Sequence, residues 1–410
     1  MKTEPGTEFF DTLEQRPPAE REQAQFAQLR ALLARVQAHS AYGQEQLSGF
    51  DAAALLGRAE LARLPILRKA DIATRQARLR PFGGLTLPDA VPRKLFQSPG
   101  PIYEPEGAGT DPWRLARALF AAGFRAGDVV HNSFSYHLTP AGSMLEGGAL
   151  ALGCSVLPAG VGQTELQLQA ARELGCNAYT GTPSFLRILL ERAEGQPLGF
   201  KKALVSGEAF PASLQDWVTD QGVQAYQCYA TADCGLIAFE TAARAGLVVD
   251  EGVIVEIVRP GSGEPLPDGE VGEVLVTRLD AAYPLLRYAT GDLSAFVAGP
   301  SPCGRSNRRL RGWLGRADQS AKVRGLFVHA AQVQQLRERF PELGGRMRWV
   351  IEGQDAQDVF TVWVEAPEPA EGLGERLVQA ARDITRLRAE LRFVNELPND
   401  GRLIDDRRAR

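Results

Sequence analysis

One carboxylate in the chain stands in an unusual place. Asp292 follows Gly291 in the stretch YPLLRYATGDLSAF, between two apolar segments that look like buried strands. Such a pair often forms a turn, because glycine adopts left-handed backbone angles and aspartate hydrogen-bonds its own backbone. A carboxylate here could instead accept hydrogen bonds from a ligand. The local sequence favours the turn, and only residues elsewhere can change that interpretation.

Three other polar segments could take part in ligand binding, although each is weak evidence by itself. The segment SGE at 206–208 could be a simple loop, and YATAD at 229–233 could cap a helix. The charged segment GRADQSAKVRG at 315–325 could be a solvated loop. Their order along the chain, with Thr-Gly-Asp between the second and the third, is more informative than any one of them.

The elements around residues 112–230 must position the first two segments. Short apolar strands such as DVVHNSF, CSVLPAG, CNAYTG and VQAYQCY alternate with helices. This rhythm predicts a mostly parallel sheet with crossover helices. Ligands of such sheets bind where the carboxyl ends of the strands meet the following loops. Both SGE and YATAD follow a strand, so we expect them at that edge.

The remaining elements predict two domains. Apolar residues at helical spacing predict helices over 20–48 and 51–63, whereas proline and glycine predict a loop over 81–112. Beyond residue 245, alternating apolar and polar residues predict antiparallel strands. We expect a large domain over 1–316 and a small one over 317–410, the first made of a helical start (1–80), an α/β core (81–240) and a β-rich part (241–316).

Composition argues against several classes of protein. The net charge of −4 gives no reason to expect a nucleic-acid partner. No apolar stretch reaches transmembrane length, and the charged N-terminus lacks the apolar core of a signal peptide, so we expect no membrane partner. The five cysteines contain no Cys-x-x-Cys pair, which fits a reduced, cytoplasmic setting.

Taken together, the series resembles the adenylate-forming (acyl-CoA synthetase) superfamily, in particular its phenylacetate–CoA ligase-like branch. The segments that carry the resemblance extend over most of the chain: ELARLPILRKADI, AAGFRAGDVVHNSFSYHLTPAG, GTPSFL, YATADCGLIAFE, PLLRYATGDLS, CGRSNRRLRGWLGRAD and KVRGLFV. The resemblance implies an α/β fold class: a large N-terminal domain with parallel-sheet layers plus a β-rich subdomain, and a small mobile C-terminal α+β domain. It also implies an enzyme that joins a carboxylic acid to ATP and passes the acyl group from acyl-AMP to CoA.

The resemblance further implies an adenine-nucleotide site. Asp292 would accept both ribose hydroxyls, which answers the question of the turn in favour of a ligand. Arg316 would make a second ribose or phosphate contact, since a guanidinium suits this geometry. The other contacts would come from the ends of two strands: Ser206, Gly207 and Glu208 around adenine, Tyr229 stacked on it, Thr231 at the α-phosphate, and Ala230 as a further nucleotide contact.

The same resemblance assigns the rest of the site. Asp233 stands where the family has a glutamate near Mg²⁺, but its side chain is one methylene shorter, which leaves direct metal contact open. The pocket for a flat acid would use Phe134, Tyr136 and His137, although Phe134 could equally be core and His137 is more often structural. The mobile segment would comprise a hinge at Asp318 or Gln319 and a CoA side at Lys322 and Gly325.

The chain departs from the family in its phosphate loop. Of the Ser/Thr/Gly-rich loop, only Ser98, Gly100 and Gly107 remain in LFQSPGPIYEPEGAG. The prolines of this stretch lack the N–H donors that a phosphate cradle uses. Glu104 and Glu106 would repel a triphosphate. We therefore expect weaker or differently organised binding of the β and γ phosphates.

Two other departures concern the C-terminus and a metal. The catalytic lysine of the family is missing, since no lysine follows Lys322, and Arg402 stands near its expected place. Some relatives hold zinc, but the matching positions retain one soft ligand, so we expect no zinc. Those positions are Thr241, Val248, Ser301 and Cys303.

Two functions therefore remain open. The first is an acid–CoA ligase for an aromatic or similar carboxylic acid, using ATP, Mg²⁺ and CoA, with relatives suggesting a homodimer. The alternative is a diverged homologue that binds AMP or acyl-AMP but adenylates poorly, so that it performs thioester transfer alone or binds nucleotide without turnover.

Overall fold

The computed structural model describes residues 8–98, 102–193, 195–323, 326–354, 357–366, 371–398 and 402–408. The chain divides into two compact units, Met1–Thr290 with Ala295–Gly312, and Gly291–Ser294 with Trp313–Arg410. A functional domain boundary after residue 316 stays our proposal. A helix able to span a bilayer is absent from the described residues.

The helical start is more broken than predicted. It contains α1 (Pro18–His39), α2 (Arg58–Leu61), β1 (Leu67–Arg68) and α3 (Lys69–Arg78), with 3-10 turns at Thr12–Gln15 and Ala52–Ala54 and a π-helical turn at Gly43–Leu47. The predicted helix over 20–48 ends at His39, where the Ser40 hydroxyl donates to the Val36 carbonyl and accepts from the Gly43 amide. The predicted helix over 51–63 is replaced by the turn at 52–54, which Asp51 caps, and by α2, which Gly57 precedes.

The predicted loop over 81–112 is wrong, because it contains a β-hairpin. Strands β2 (Lys94–Ser98) and β3 (Ile102–Glu106) pair antiparallel as a two-stranded sheet. Proline is tolerated at position 105 because this small sheet has only edge strands. Of the expected phosphate-loop residues, Gly100 lies outside the described residues.

The α/β core confirms the predicted rhythm. Its elements are α4 (Leu115–Ala121), β4 (Val129–Asn132), α5 (Ala141–Ala151), β5 (Ser155–Pro158), α6 (Thr164–Glu173), β6 (Ala178–Gly181), α7 (Pro183–Arg192), β7 (Lys202–Val205), α8 (Ala212–Asp220), β8 (Gln224–Thr231), β9 (Gly235–Phe239) and β10 (Leu247–Val249). Strands β5, β4, β6, β7 and β8 lie side by side and are parallel, and β9 then pairs antiparallel with β8. Their carboxyl ends consequently share one edge of the sheet.

The β-rich part follows. It consists of β11 (Val253–Val258), β12 (Gly272–Arg278), β13 (Tyr288–Ser294), β14 (Phe296–Val297) and β15 (Arg309–Leu310). Strands β11 and β12 pair antiparallel, as their alternating residues predict. They belong to a four-stranded sheet in the order β1-β13-β12-β11, whereas β14 and β15 extend the large sheet beyond β10.

The C-terminal part of the chain has its own core. It contains a 3-10 turn (Ala317–Gln319), β16 (Ser320–Val323), β17 (Leu326–His329), α9 (Ala330–Glu338), β18 (Met347–Gln354), β19 (Gln357–Glu365), α10 (Leu373–Thr385), β20 (Glu390–Val394) and β21 (Ile404–Asp406). The four-stranded sheet has the order β20-β19-β18-β21. Trp349 and Phe360 pack edge to face in a core formed by the sheet and its helices. This part of the chain is therefore a small α+β unit with its own hydrophobic core.

Candidate functional site

An open cleft lies where β4, β7 and β8 end. It encloses about 410 Å³ of non-atom space, including the part open to solvent. Its wall combines residues that follow these three strands: Phe134 after β4, Ser206 and Gly207 after β7, and Ala230 and Thr231 at the end of β8. The structure thus brings the predicted nucleotide loop and one predicted pocket residue together at the carboxyl edge of the sheet.

The loop at 206–208 is held firmly in place. The buried Ser206 hydroxyl donates to the Cys228 carbonyl over 2.8 Å, which ties the loop to β8. Gly207 has a φ of 84°, a backbone angle that favours glycine. Glu208 faces the start of α7, where its Oε2 accepts from the Ser184 amide over 3.3 Å. Ser206 and Gly207 line the cleft, and Glu208 caps a helix beside it.

Tyr229 and Thr231 are positioned by different contacts. The half-buried Tyr229 donates from its hydroxyl to Thr290 Oγ1 over 3.1 Å, which fixes the ring orientation. The Thr231 hydroxyl accepts from the Cys234 amide over 3.1 Å and closes the turn between β8 and β9. That turn places Thr231 and Ala232 in the cleft wall.

Asp233 points into a buried acidic group instead of toward solvent. It is 3% exposed, and its Oδ2 lies 3.5 Å from Nζ of Lys69. Glu104, on β3, is fully buried and accepts from the Ser98 hydroxyl over 2.5 Å. Burial first, and the charge of Asp233 second, raise the pKa of Glu104 to about 8. At neutral pH most molecules therefore carry a protonated Glu104.

This arrangement corrects the interpretation of the degenerate phosphate loop. We expected Glu104 and Glu106 to repel a triphosphate, but both side chains are buried. Glu106 accepts from Trp113 Nε1 over 2.9 Å and from the Ser143 hydroxyl over 2.8 Å. The Ser98 hydroxyl, expected to face phosphate, instead bonds Glu104, and a Cβ on Gly107 would lie 2.9 Å from that of Ala282.

Asp292 lies in a strand, so the turn interpretation is wrong. Its Oδ1 accepts from Trp313 Nε1 over 3.1 Å and from Arg316 Nη1 over 3.3 Å. Gly291 has a φ of 74°, and a Cβ there would lie 2.5 Å from Arg316 Nη2. Glycine at 291 thus leaves room for the guanidinium. Trp313, 40% exposed, was missed by the sequence analysis, although it stands in the quoted segment RGWLGRAD.

The predicted acid pocket is only partly assembled. Phe134 lines the cleft, whereas Tyr136 packs its ring on Gly142 and its hydroxyl accepts from Asn132 Nδ2 over 2.7 Å. His137 is exposed. Helix α5 adds apolar residues that the sequence analysis missed; a helix rich in small residues directly after the predicted pocket segment was the available signal. These cleft residues are Ala141, Met144 and Leu145.

The predicted mobile segment lies in the C-terminal part. Asp318 and Gln319 belong to the 3-10 turn, and Gln319 Oε1 accepts from the Leu403 amide over 3.1 Å. Lys322 lies in β16, and Gly325 falls outside the described residues. Arg402 is exposed just before β21. The hinge turn is therefore bonded directly to the chain segment that carries Arg402.

Comparisons with known proteins identify relatives of this chain. Residues 116–280 match the family model described as AMP-binding enzyme. The chain is 30% identical over 368 residues to a phenylacetate-coenzyme A ligase of Thermus thermophilus, which covers 84% of this chain and 82% of the relative. It is 29% identical to a phenylacetate-coenzyme A ligase of Aromatoleum evansii, covering 78% of this chain and 77% of the relative.

A solved structure shares the fold. An open conformation of 2-hydroxyisobutyryl-CoA ligase, in complex with 2-HIB-AMP and CoA, aligns with a TM-score of 0.84 at 23% identity and covers 96% of this chain and 93% of its own. That likeness confirms the predicted fold class, and the identity and coverage of the Thermus relative identify the family. This chain belongs to the phenylacetate–CoA ligase family of adenylate-forming enzymes.

Proposed function

We propose that this protein converts an aromatic or similar carboxylic acid to its CoA thioester through acyl-AMP. A carboxylate oxygen attacks the α-phosphorus of ATP, the bond to the β-phosphate breaks, and pyrophosphate leaves. The CoA thiol then loses its proton, its sulfur attacks the acyl carbon, and AMP leaves. The observation that supports this function best is the cleft, whose wall contains the apolar residues Phe134 and Met144 together with Ser206, Gly207 and Thr231.

The comparisons support the classes of ligand. The relatives are named phenylacetate-coenzyme A ligases, and the structural neighbour was solved with an acyl-AMP and CoA. The apolar side of the cleft suits an acid with a hydrophobic body, because burying apolar surface favours binding. Thr231 would contact the α-phosphate, Tyr229 would stack on adenine, and Asp292 would accept the ribose hydroxyls.

Mg²⁺, which the family implies near Asp233, fits the oxygen atoms present. Asp233 Oδ1 and Glu104 Oε2 are buried, and no group among the described residues meets either oxygen at hydrogen-bond geometry. Carboxylate oxygens are the ligands that Mg²⁺ prefers, so these two residues would hold it, and Glu104 would lose its proton on binding the ion. A bound ion would offset phosphate charge. Lys69, 3.5 Å from Asp233, supplies one positive charge from the protein itself.

Two further expectations stay proposals. A cytoplasmic location agrees with the five cysteines, which are free thiols in the structure. A homodimer is expected from relatives and can be tested by light scattering.

Acid-dependent exchange of pyrophosphate into ATP tests the proposed function. A panel of carboxylic acids is first screened for thermal stabilisation in the presence of AMP, because ligands that bind the folded state raise the melting temperature. The acids that stabilise should then support exchange and thioester formation. Thioester formation from synthetic acyl-AMP without exchange would select the alternative function, in which the protein performs the transfer step alone. AMP binding without either activity would overturn the proposal that the protein is an enzyme.

Replacing Asp292 with alanine should weaken AMP binding by about 1.5–3 kcal/mol, roughly 10- to 150-fold, because a charge-assisted hydrogen bond to ribose is lost. Calorimetric titration of AMP measures this effect. Asp89→Ala, which removes an exposed carboxylate paired with Arg35, is the matched control and should bind AMP normally. Equal AMP affinity in the wild type and in Asp292→Ala would remove the ribose role.

A further inference from the structure

A second cavity lies entirely within the C-terminal part of the chain. It encloses about 470 Å³ of non-atom space, including the part open to solvent. The charged residues among its described lining are all arginines: Arg337, Arg346, Arg348 and Arg402. Apolar residues such as Leu397 complete the described wall. A cavity with this composition attracts anions, whereas the chain as a whole has a net charge of −4.

The fold brings these arginines together from three separate segments. Arg337 lies in the last turn of α9, and Arg402 lies just before β21. Arg346 directly precedes β18 and Arg348 lies at its start, two positions on, a spacing that places side chains on the same face of an extended chain. Strand β21 pairs with β18 in parallel, so Arg402 is held next to that start.

The contacts of the inner arginines hold both side chains in the fold, and two carboxylates offset the charge of Arg346. Arg348 is 4% exposed, and its Nη2 donates to the Pro398 carbonyl over 3.1 Å. Arg346 donates from Nε to Glu365 Oε2 over 2.9 Å, and its Nη2 lies 3.7 Å from Glu396. Burying a guanidinium costs desolvation free energy. Some proteins keep such buried charges because they contribute to specificity.

The outer arginines lie at the protein surface. Arg337 and Arg402 are both exposed. Their guanidinium groups are planar donors whose geometry matches the oxygens of a phosphate.

We propose that this cavity binds a phosphate or diphosphate group. The inference rests on the C-terminal part alone and does not depend on the proposed function. Three ligands carry the required chemistry: free pyrophosphate, the phosphates of CoA, and the terminal phosphates of ATP.

Calorimetric titration of the full chain with inorganic pyrophosphate tests this site. We expect binding that weakens as salt is raised, because the contacts are ionic. Arg337→Gln and Arg402→Gln should each weaken it about tenfold or more. Arg339→Gln is the matched control, since it removes an exposed arginine of the same segment that is not part of the described cavity wall, and it should stay within about twofold. Equal affinity in the wild type, Arg337→Gln and Arg402→Gln overturns the proposal.

Competition identifies the source of the phosphate. Displacement of pyrophosphate by CoA but weakly by 3′-dephospho-CoA assigns the site to the 3′-phosphate of CoA, and equal displacement by both assigns it to the diphosphate. Displacement by ATP but not by CoA assigns it to a nucleotide triphosphate. Complete displacement by AMP would place pyrophosphate in the nucleotide site and overturn the proposal. Failure of the wild type to bind AMP would count against the proposed function only.

Discussion

Replacing Glu104 with glutamine is expected to stabilise the protein at pH 8.5 by roughly 2–5 kcal/mol, with little change at pH 5. Burial and the neighbouring Asp233 raise the pKa of Glu104 to about 8, whereas its ordinary value is 4.5. Between these values the folded protein keeps a proton that the unfolded chain releases. The contribution of Glu104 to stability is therefore full below pH 4.5 and is lost as the pH rises through about 8.

Glutamine removes this dependence because it is neutral at every pH, and its amide can donate to Asp233. Urea unfolding of both proteins at pH 5, 7 and 8.5 measures the effect. Glu165→Gln serves as the control, since that side chain is 76% exposed and should leave the pH profile unchanged. Parallel profiles for the wild type and Glu104→Gln would contradict the inward, protonated state of this residue.

Replacing Arg402 with alanine is expected to lower acid-dependent ATP–pyrophosphate exchange by about 10²–10³-fold. The family uses a lysine in this region, and a positive group that stabilises charge at the carboxylate and the α-phosphate is worth that much in rate. Arg402 directly precedes Leu403, whose amide donates to Gln319 of the hinge turn. Exchange rates at saturating ATP and acid measure the effect, with the exposed Arg382→Ala as a control.

Two variants and one separate measurement sharpen the interpretation of Arg402. Arg402→Lys keeps the charge, so it should restore much of the lost exchange if charge alone matters. If the loss in Arg402→Ala appears only in the dependence on pyrophosphate concentration, Arg402 acts through the arginine-lined cavity and not on the reacting groups. Unchanged exchange in Arg402→Ala would show that it does not replace the lysine.

Much of the fold could be predicted because the sheet depends on local patterns. Strand and helix alternate with regular spacing, so the parallel core and the position of Ser206 and Thr231 at strand ends followed directly. The hairpin β2–β3 was missed because its prolines and glycines outweighed the alternation of buried Phe96 and Ser98 along the strand. Proline counts predict loops well only where no small edge sheet can form.

The site could be predicted less completely, for two physical reasons. The direction of a side chain is set by packing, so the inward Glu104 was interpreted as a surface charge and Tyr136 as a pocket residue. Residues that are distant in sequence come together only in the folded chain, so nothing in the sequence indicated that Arg337 and Arg402 line the same cavity. A resemblance to a family does not reveal such features, because it transfers motifs and not the contacts around them.

The close approach of residues 291 and 316 limits which residues position 291 can accept. Any side chain at 291 would collide with the guanidinium of Arg316, since even a Cβ would lie 2.5 Å from its Nη2. A larger residue at 291 therefore carries two costs: the guanidinium of Arg316 must swing aside, and the φ of 74° is strained for any side chain. Because the Arg316 guanidinium that would move also donates to Asp292 Oδ1, a substitution at 291 would disturb the arrangement around Asp292 without touching the carboxylate itself.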